Sequence, residues 1–247
     1  MRALKLILLG LMLVWPCSAE LSAAPKGGRA YYEARGEVIW EVPGEKKLLA
    51  LTFDDGPDPE DTPKILDMLA SFQVKATFFV IGSKASQHPD LLKREMEEGH
   101  EIANHTYTHH FFDRRSSAEK IDNEITKTQQ VIRDITGKGP KLFRPPGGMF
   151  NDAVLRHARK QGLQTIMWSW HQDTKDWSRP GVQFIVKKVL NNVRNGDIIL
   201  LHDYVSGKSQ TIQALEVILP ALRKQGYEFV TVSELLSSAG HLVPSMK

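Results

Sequence analysis

The sequence is poor in cysteine, and that absence excludes several kinds of chemistry. Cys17 is the only cysteine among 247 residues, and it lies in an N-terminal segment that we expect to be removed. The mature protein would then have no thiol, so disulfide bonds, cysteine nucleophiles and thiolate metal sites are excluded. Any bound metal must therefore be held by histidine and carboxylate side chains.

Long hydrophobic runs are also missing, apart from one short run near the N-terminus. Arg2 and Lys5 precede an apolar stretch at 6–15, and a proline and several small residues follow it. This order is typical of a secretory signal peptide, and about ten apolar residues are too few to cross a bilayer comfortably. We therefore predict a cleavable signal peptide at 1–24 and a protein that is secreted or associated with the cell wall. An uncleaved membrane anchor and a lipoprotein attached through Cys17 are the alternatives.

An excess of charge of one sign is the third absence. The formal net charge is +3, and removing residues 1–19 takes away Arg2 and Lys5 and leaves +1. A nearly neutral chain lacks the basic surface that nucleic acid requires, so we expect no nucleic-acid partner. The sequence implies no stable protein partner either, and a weak association with an anionic cell wall stays open.

What the sequence does contain is a regular alternation of strand and helix patterns. Hydrophobic residues make up 41% of the chain and charged residues 25%, which is ordinary for one globular domain with a large core. We predict a linker segment at 25–46, a single domain at 47–236 and a C-terminal tail at 237–247.

Seven apolar segments of this domain predict strands, at 48–53, 76–81, 101–104, 141–144, 164–170, 198–201 and 229–232. Helical patterns lie between them, which favours a parallel sheet. We predict an α/β fold, a distorted (β/α) barrel of about seven parallel strands with surrounding helices. Thr62, Ser117 and Asn151 are predicted to cap three of these helices.

Chemically reactive side chains directly follow several of the predicted strands. Asp54 and Asp55 follow the first strand, His105 and His109 follow the third, and His202 follows the sixth. Active sites of (β/α) barrels form at the carboxyl ends of the strands, so we expect these residues to meet. A carboxylate and two histidines can bind a divalent metal and leave a position for water. One carboxylate and one histidine remain as general base and general acid, so the sequence predicts a metal-dependent hydrolase.

Arg144 follows another predicted strand and begins a segment of unusual composition. The next four residues, 145–148, are two prolines and two glycines. The prolines stiffen the segment, and the glycines allow backbone N–H groups to approach a ligand and hold an oxyanion. An ordinary loop with a salt-bridged arginine is the alternative interpretation.

The tryptophans and the remaining histidines carry weaker signals. Trp177 follows the acids Asp173 and Asp176 and is predicted to lie in a groove, whereas Trp168 and Trp170 are predicted to lie in the core. Four histidines have no partner pattern and are predicted to do no chemistry: His88, His157, His171 and His241.

Taken together and in this order, the motifs resemble those of the polysaccharide deacetylases of the NodB-homology type, carbohydrate esterase family 4. The resemblance extends over 47–236 and rests on five motifs in sequence order. It implies a distorted (β/α) barrel, an N-acetylated polysaccharide as substrate, and hydrolysis of its acetyl groups.

The resemblance also implies a role for each matching residue. Four residues would handle protons: the base Asp54, the arginine Arg144 that orients it, the general acid His202 and the aspartate Asp176 that tunes it. Three residues would hold the metal: Asp55, His105 and His109. Four residues would contact substrate: Pro146, Gly147, Trp177 and Leu200, the last of which lines the acetyl pocket. Zinc is the favoured ion for two histidines and one aspartate, and cobalt or manganese fit the same ligands.

Gly147 departs from the family pattern. The arginine motif usually ends in an aromatic residue, commonly tyrosine, at this position. The expected contact to an oxyanion is a backbone N–H, which glycine keeps. The lost ring therefore bears on substrate preference more than on chemistry.

The predicted function is that of a secreted, metal-dependent deacetylase. It would hydrolyse N-acetyl groups of N-acetylglucosamine in peptidoglycan or chitin oligomers to a free amine and acetate. The alternatives within hydrolases are an O-acetyl esterase acting on xylan and an N-acetylmuramic acid deacetylase. Outside the enzymes, the alternative is a non-catalytic carbohydrate-binding protein of the cell wall.

Overall fold

The computed structural model describes residues 27–240 and confirms the predicted distorted (β/α) barrel. The predicted signal peptide at 1–24 and residues 241–247 of the predicted tail lie outside the described residues. Within 27–240 the strands are β1 (Val38–Ile39), β2 (Leu48–Asp54), β3 (Thr77–Val80), β4 (Glu101–Asn104), β5 (Leu142–Phe143), β6 (Gln164–Ile166), β7 (Ile198–His202) and β8 (Glu228–Phe229).

The helices of the described chain surround these strands. They are α1 (Arg29–Ala34), α2 (Asp61–Ser71), α3 (Gly82–Gln87), α4 (Pro89–Glu97), α5 (Ala118–Thr136), α6 (Asp152–Lys160), α7 (Val182–Leu190), α8 (Thr211–Lys224) and α9 (Val232–Ser238). None of the helices within 27–240 is long and apolar enough to span a membrane.

Seven strands form one continuous sheet in the order β1-β6-β5-β4-β3-β2-β7, and every pairing along it is parallel. β8 pairs with the start of β2 outside this path. The two ends of the sheet meet where Glu41 bridges to Asp197 and Val42 N–H donates to the carbonyl of Gly196 at 2.9 Å. We call these four residues the seam, because they bring the two edges of the curled sheet together.

Alternation along the strands decides which side chains enter the barrel. In β2, Phe53 packs with the helices on the outside, whereas Ala50 belongs to the inner apolar cluster. Successive side chains of a strand point to opposite faces, so Asp54, four residues after Ala50, lies inside. The same count in β7 leads from Ile198 in the inner cluster to His202. Both strands therefore carry a polar side chain into the barrel at their carboxyl ends.

The opposite end of the barrel is closed by α9. Val232, Leu235 and Leu236 of this helix are buried in the inner cluster with Ala50 and Ile198, which lie near the starts of β2 and β7. This burial removes apolar surface from water at the amino ends of the strands. Only the carboxyl ends remain available for a site inside the barrel.

Two of the three predicted helix caps are correct. The Ser117 hydroxyl and the Asn151 side chain accept N–H groups of the first turns of α5 and α6. The prediction for Thr62 is wrong, because α2 begins at Asp61 and Asp58 Oδ1 accepts the first N–H groups instead. The Thr62 hydroxyl donates to Asp203 at 2.6 Å, so a tertiary partner has replaced the local one.

Three predicted segments differ most from the observed ones. The predicted linker at 25–46 contains α1 and β1, so the sheet begins before residue 47. The predicted strand 164–170 ends at Ile166, because Ser169 N–H donates to the carbonyl of Ile198 and the chain turns alongside β7. The last predicted strand is shorter, and Val232 already begins α9, which is capped by Thr231.

Candidate active site

Four predicted site residues lie at the carboxyl ends of four of the five consecutive strands β5-β4-β3-β2-β7. Asp54 is the last residue of β2 and lies beside His202, the last residue of β7, in the strand register. His105 directly follows β4, and Arg144 directly follows β5. All four are buried, with at most 8% of their surface exposed. The sheet order therefore places two carboxyl-terminal strand ends on each side of β3 and assembles one polar centre.

Arg144 fixes the position of Asp54. Its Nη1 donates to Asp54 Oδ1 at 2.6 Å and to the Thr52 hydroxyl at 2.9 Å, and its Nη2 donates to the carbonyl of Met167 at 2.8 Å. Burial lowers the pKa of Arg144, and the neighbouring Asp54 carboxylate opposes that shift. Arg144 thus binds Oδ1 of Asp54. The other carboxylate oxygen, Oδ2, faces His105, whose Nε2 lies 3.7 Å away.

Asp55, His105 and His109 bring three ligand atoms within 4.8 Å of one another. Oδ1 of Asp55 lies 3.1 Å from Nε2 of His109 and 3.4 Å from Nε2 of His105. This oxygen is buried and has no hydrogen-bond partner among the residues that the structure describes. Two imidazole nitrogens and a carboxylate oxygen are the donor set of catalytic zinc sites with an open position, so the three residues fit a divalent metal.

A hydrogen bond outside the cluster selects the metal-binding nitrogen of His105. Nδ1 of His105 lies 2.8 Å from the carbonyl oxygen of Arg144, and a carbonyl can only accept. Nδ1 therefore carries the proton, and the lone pair of Nε2 faces the cluster. Backbone carbonyls commonly orient metal-binding histidines in this way.

The backbone is strained at two residues of this cluster. Asp55 has a φ of 78° and His109 a φ of 57°, which is the left-handed region that non-glycine residues rarely adopt. Tertiary contacts hold the backbone at Asp55. Lys84 Nζ donates to the carbonyl of Asp55 at 2.7 Å, and Gly56 packs so closely on Asp203 that a Cβ on Gly56 would overlap the Asp203 carboxylate. Such strain persists where surrounding structure over-determines it, commonly at functional sites.

Two opposing effects set the protonation of Asp55. Burial alone would raise the pKa of its carboxyl group, but interactions with His105 and His109 outweigh burial and hold the pKa well below its usual value. The carboxylate is thus ionised at neutral pH, which a metal ligand requires.

Asp176 holds His202 through two contacts. Its Oδ1 lies 2.7 Å from Nδ1 of His202, and its Oδ2 accepts the backbone N–H of His202 at 2.8 Å. Oδ2 also accepts the hydroxyl of Thr211 at 2.7 Å, so the fully buried carboxylate is saturated with donors. Burial lowers the pKa of His202, but the Asp176 charge and hydrogen bond outweigh it, with smaller contributions from Asp54 and Asp55, and raise the pKa to about 9.

These side chains surround a cavity of about 360 Å³ at the open end of the barrel. It is lined by Asp54, Asp55, His105, His109, Phe111, Gly147, Trp168, Asp173, Trp177, Leu200 and His202. Arg144 and Asp176 lie behind this wall and act on the residues that form it. Pro146, predicted to contact substrate, is buried and does not line the cavity.

The aromatic residues follow the predictions only in part. Trp177 is 56% exposed and lines the cavity, as its predicted groove position requires. Trp168 packs partly buried on the core and also reaches the cavity. The core prediction for Trp170 is wrong, because its ring is 61% exposed and covers the guanidinium of Arg29 at 5.1 Å. Phe111 lines the cavity although no sequence motif pointed to it.

Comparison with known proteins agrees with this geometry. The family model described as polysaccharide deacetylase matches residues 41–166. The chain belongs to the polysaccharide deacetylase family. A peptidoglycan-N-acetylglucosamine deacetylase of Bacillus cereus (strain ATCC 14579) is 51% identical over 208 residues, which cover 84% of this chain and 97% of that protein. The resemblance inferred from the motifs is therefore confirmed.

Two further polysaccharide deacetylases extend the comparison. A chitooligosaccharide deacetylase of Bradyrhizobium sp. (strain ANU 289) is 41% identical over 206 residues, covering 79% of this chain and 93% of that protein. The crystal structure of the Bc1960 peptidoglycan N-acetylglucosamine deacetylase, in complex with 4-naphthalen-1-yl-N-oxidanyl-benzamide, superimposes with a TM-score of 0.78 at 38% identity. That superposition covers 83% of this chain and 94% of the solved one.

Proposed function

We propose that this protein is a divalent-metal-dependent deacetylase that removes acetyl groups from N-acetylglucosamine units of peptidoglycan or chitin oligomers. The observation that carries the proposal is the meeting of an acid, a base and a three-residue metal-ligand set around one cavity. The relatives named for peptidoglycan N-acetylglucosamine and for chitooligosaccharides support an N-acetylated glycan as the substrate class.

Asp55, His105 and His109 would hold the metal. A bound divalent ion in such a site polarises a carbonyl oxygen and lowers the pKa of water. Zinc is the ion we favour for this ligand set, and cobalt or manganese suit the same donors. The Arg144 carbonyl that orients His105 adds the outer hydrogen bond that such ligands need.

Asp54 is suited to act as general base. Its Oδ1 is occupied by Arg144, and its free Oδ2 faces the metal-ligand side of the cavity. Oδ2 takes a proton from the attacking water as the water oxygen bonds to the acetyl carbon. Gly147 lines the cavity, and its backbone N–H would donate to the oxyanion that develops on the carbonyl oxygen.

His202 is suited to act as general acid. Its raised pKa keeps the imidazole protonated at neutral pH, and Asp176 holds its Nδ1, so that Nε2 presents the proton. The C–N bond breaks as His202 donates this proton to the leaving nitrogen. Acetic acid leaves and ionises to acetate, and the sugar keeps a free amine. The proton held by Asp54 returns to solvent, and His202 regains a proton from solvent.

We propose in addition that the protein is exported through the predicted signal peptide at 1–24, since a peptidoglycan or chitin substrate lies outside the cytoplasm. Intact-mass measurement of protein recovered from culture medium and from cell walls tests this. A mature chain that has lost residues 1–24, or nearly so, supports export by cleavage. A full-length chain confined to the membrane fraction would show that the segment stays as an anchor.

Acetate release by the purified protein tests the proposed activity. Chitin oligomers, peptidoglycan and acetylated xylan are offered in parallel, with and without a chelator, and His105→Ala serves as the metal-site control. We expect chelator-sensitive acetate from the N-acetylated substrates and none from the variant. Release from xylan alone would assign an O-acetyl esterase. No release from any substrate by metal-loaded protein would favour a non-catalytic glycan-binding protein.

A further inference from the structure

The ring of Phe111 occupies the space in the cavity wall that a side chain at position 147 would need. A Cβ placed on Gly147 would lie 2.6 Å from Cε1 of Phe111, well inside van der Waals contact. Gly147 also has a φ of 60°, which a side chain would strain. The backbone of the arginine motif thus approaches the Phe111 ring as closely as only a glycine permits.

The ring of Phe111 is held against the metal-ligand set on one side and is open on another. It meets the imidazole of His109 edge to face, with ring centres 4.9 Å apart. Yet the residue remains 50% exposed and lines the cavity together with Trp177, Leu200 and the polar centre. A large aromatic side chain kept half in water beside converging polar groups is typical of a ligand site.

We propose that Phe111 is a substrate-positioning residue whose ring forms the apolar wall on which the acetylated sugar packs. This inference rests on the proposed function and names a contact that the sequence motifs do not contain. A sugar ring has apolar faces that aromatic rings bind well, whereas the metal ligands and proton donors can bind only its polar groups. The ring contacts His109 and the backbone at Gly147, and neither is a group that transfers protons, so we expect Phe111 to act on substrate affinity.

The closeness of Gly147 is part of the same arrangement. Because the ring occupies the place of a side chain at 147, this part of the wall takes its aromatic surface from the loop that carries His109 rather than from the arginine motif. We therefore expect the residue at position 111, rather than the residue at position 147, to influence substrate preference.

Kinetics of acetate release from chitin oligomers test the role of the ring. We expect Phe111→Ala and Phe111→Leu to raise KM about 5- to 10-fold, since an aromatic contact of this kind amounts to roughly one power of ten in affinity, with kcat within about 3-fold. Phe111→Tyr keeps the ring and should stay near the parent KM. Phe184→Ala, at a similarly exposed phenylalanine of α7 outside the site, is the matched control.

Metal content separates this role from mere packing on His109. Each Phe111 variant should bind as much zinc as the parent protein, measured by elemental analysis after dialysis. If Phe111→Leu matches the parent in KM, or if activity falls only in step with lost metal, the ring is not a substrate wall and the inference is overturned.

A double variant tests the shared space. Gly147→Ala alone forces its methyl group against the ring and should raise KM, whereas the Phe111→Ala background lacks the ring atoms that this methyl group would meet first. We expect the effect of Gly147→Ala on KM to shrink at least about 3-fold in that background, because contacting residues are not additive. Equal effects in both backgrounds would contradict the competition for one space.

Failure of this inference is distinguishable from failure of the proposed function. If the parent protein releases acetate and the KM of Phe111→Ala is unchanged, the function stands and the inference fails. If the parent protein releases none, calorimetric binding of an N-acetylglucosamine tetramer to zinc-loaded parent and Phe111→Ala protein decides. A dissociation constant raised about 5- to 10-fold in the variant supports the aromatic wall, and an equal constant or no binding to either protein overturns it.

Discussion

Two clusters in this molecule offer the same kinds of ligand at the same spacing, yet only one lies at the open end of the barrel. The site cluster is Asp55, His105 and His109, and the seam cluster is Glu41, His171 and Asp197. In each, one ligand atom per residue lies within 4.8 Å of the others. The site cluster follows the carboxyl ends of strands, whereas Asp197 precedes β7 and lies at its amino end.

The difference between the clusters is a cation that the chain itself supplies. Arg29 Nη2 donates to Glu41 Oε1 at 2.7 Å, and its guanidinium lies between the rings of Trp40 and Trp170. His171 also pairs with the buried Asp197, at 2.9 Å. Within this cluster, the buried Oε2 of Glu41 has no hydrogen-bond partner among residues 27–240.

The site cluster has no such cation. In the part of the chain that the structure describes, the Asp55 carboxylate forms no ion pair with a lysine or an arginine. Arg144 pairs with the neighbouring Asp54 instead. Residue types and distances therefore do not define a metal site by themselves. What separates the two clusters is whether a guanidinium already pairs with a carboxylate of the cluster, as Arg29 does with Glu41, and whether the cluster faces the cavity at the open end of the barrel.

The largest contrast is expected between His105→Ala and His171→Ala. Losing His105 removes one of three ligands, so bound zinc per chain should fall from about one ion to none and acetate release should fall below detection. His171→Ala should keep both zinc and activity, because its cluster lies outside the cavity and Arg29 already pairs with Glu41. Elemental analysis and acetate assays on the same preparations measure the pair. Equal loss of zinc from both variants would contradict the expectation that the site cluster, and not the seam cluster, binds the metal.

The two arginine–carboxylate pairs give the next contrast. Asp54→Asn removes the proposed base, and we expect turnover to fall about 10³-fold with zinc retained. Glu41→Gln breaks the partly exposed pair at the seam and should cost less than about 1 kcal/mol in free energy of unfolding, with normal activity. Chemical denaturation and initial rates test both variants. Near-normal turnover by Asp54→Asn would reject the base assignment.

The two histidine–aspartate pairs differ in the effect that we expect their variants to have on the pH profile of activity. A histidine whose pKa is raised to about 9 adds stability that is complete below its unfolded pKa near 6.5 and lost as pH rises through about 9. Activity should decline over the same alkaline range as His202 loses its proton. In Asp176→Asn, the largest contribution that opposes burial is lost, so the pKa of His202 should fall, the alkaline limb should move to lower pH, and the rate should drop about 10²-fold.

Asp197→Asn is the matched control for that pH profile. It removes a buried acceptor of His171 at the seam and should lower the free energy of unfolding by about 1–3 kcal/mol. The alkaline limb of activity should not move. A shift of the limb in Asp197→Asn as large as in Asp176→Asn would mean that the limb reports unfolding rather than His202.

The smallest expected effect comes from Arg29→Ala. This variant tests directly whether the guanidinium keeps a metal ion out of the seam cluster. Without the guanidinium, two carboxylates and an imidazole remain close together, and a cation would relieve their repulsion. We expect a second, weaker zinc ion to bind at high zinc concentration while activity is unchanged. Zinc titration by calorimetry measures the stoichiometry. A single binding event in the variant would show that Arg29 is not what excludes metal from the seam cluster.

Much of the site could be predicted because strand alternation and strand order fix it. Asp54 and His202 follow long apolar runs, and such runs have to be buried whatever else the chain does. The parallel order then forces their carboxyl ends together. The caps Ser117 and Asn151 were also predictable, since they depend on neighbours two or three positions away.

The errors lie where distant contacts override local preference. Two-residue strands such as β1 exist only because β6 lies beside them, and Thr62 is drawn from its capping role by Asp203, 141 positions away. Phe111 and Trp170 could not be placed because an aromatic residue in a loop carries no periodic signal. Which of them reaches the cavity and which covers Arg29 depends on packing between separate loops.

The pairing of β2 with β7 affects the order in which parts of the site form while the chain is synthesised. It joins Thr52 to Ile199 across 147 positions, so a chain that emerges from its amino end presents the proposed metal ligands long before the strand that carries His202. Until then one edge of β2 lacks its partner, and an unpaired edge invites association with other chains. The proposed metal ligation and the proposed proton donation would thus become possible at different times. The proposed site is complete only when the last third of the chain arrives, so a product that ends before β7 would leave one edge of β2 unpaired and would lack the proposed general acid.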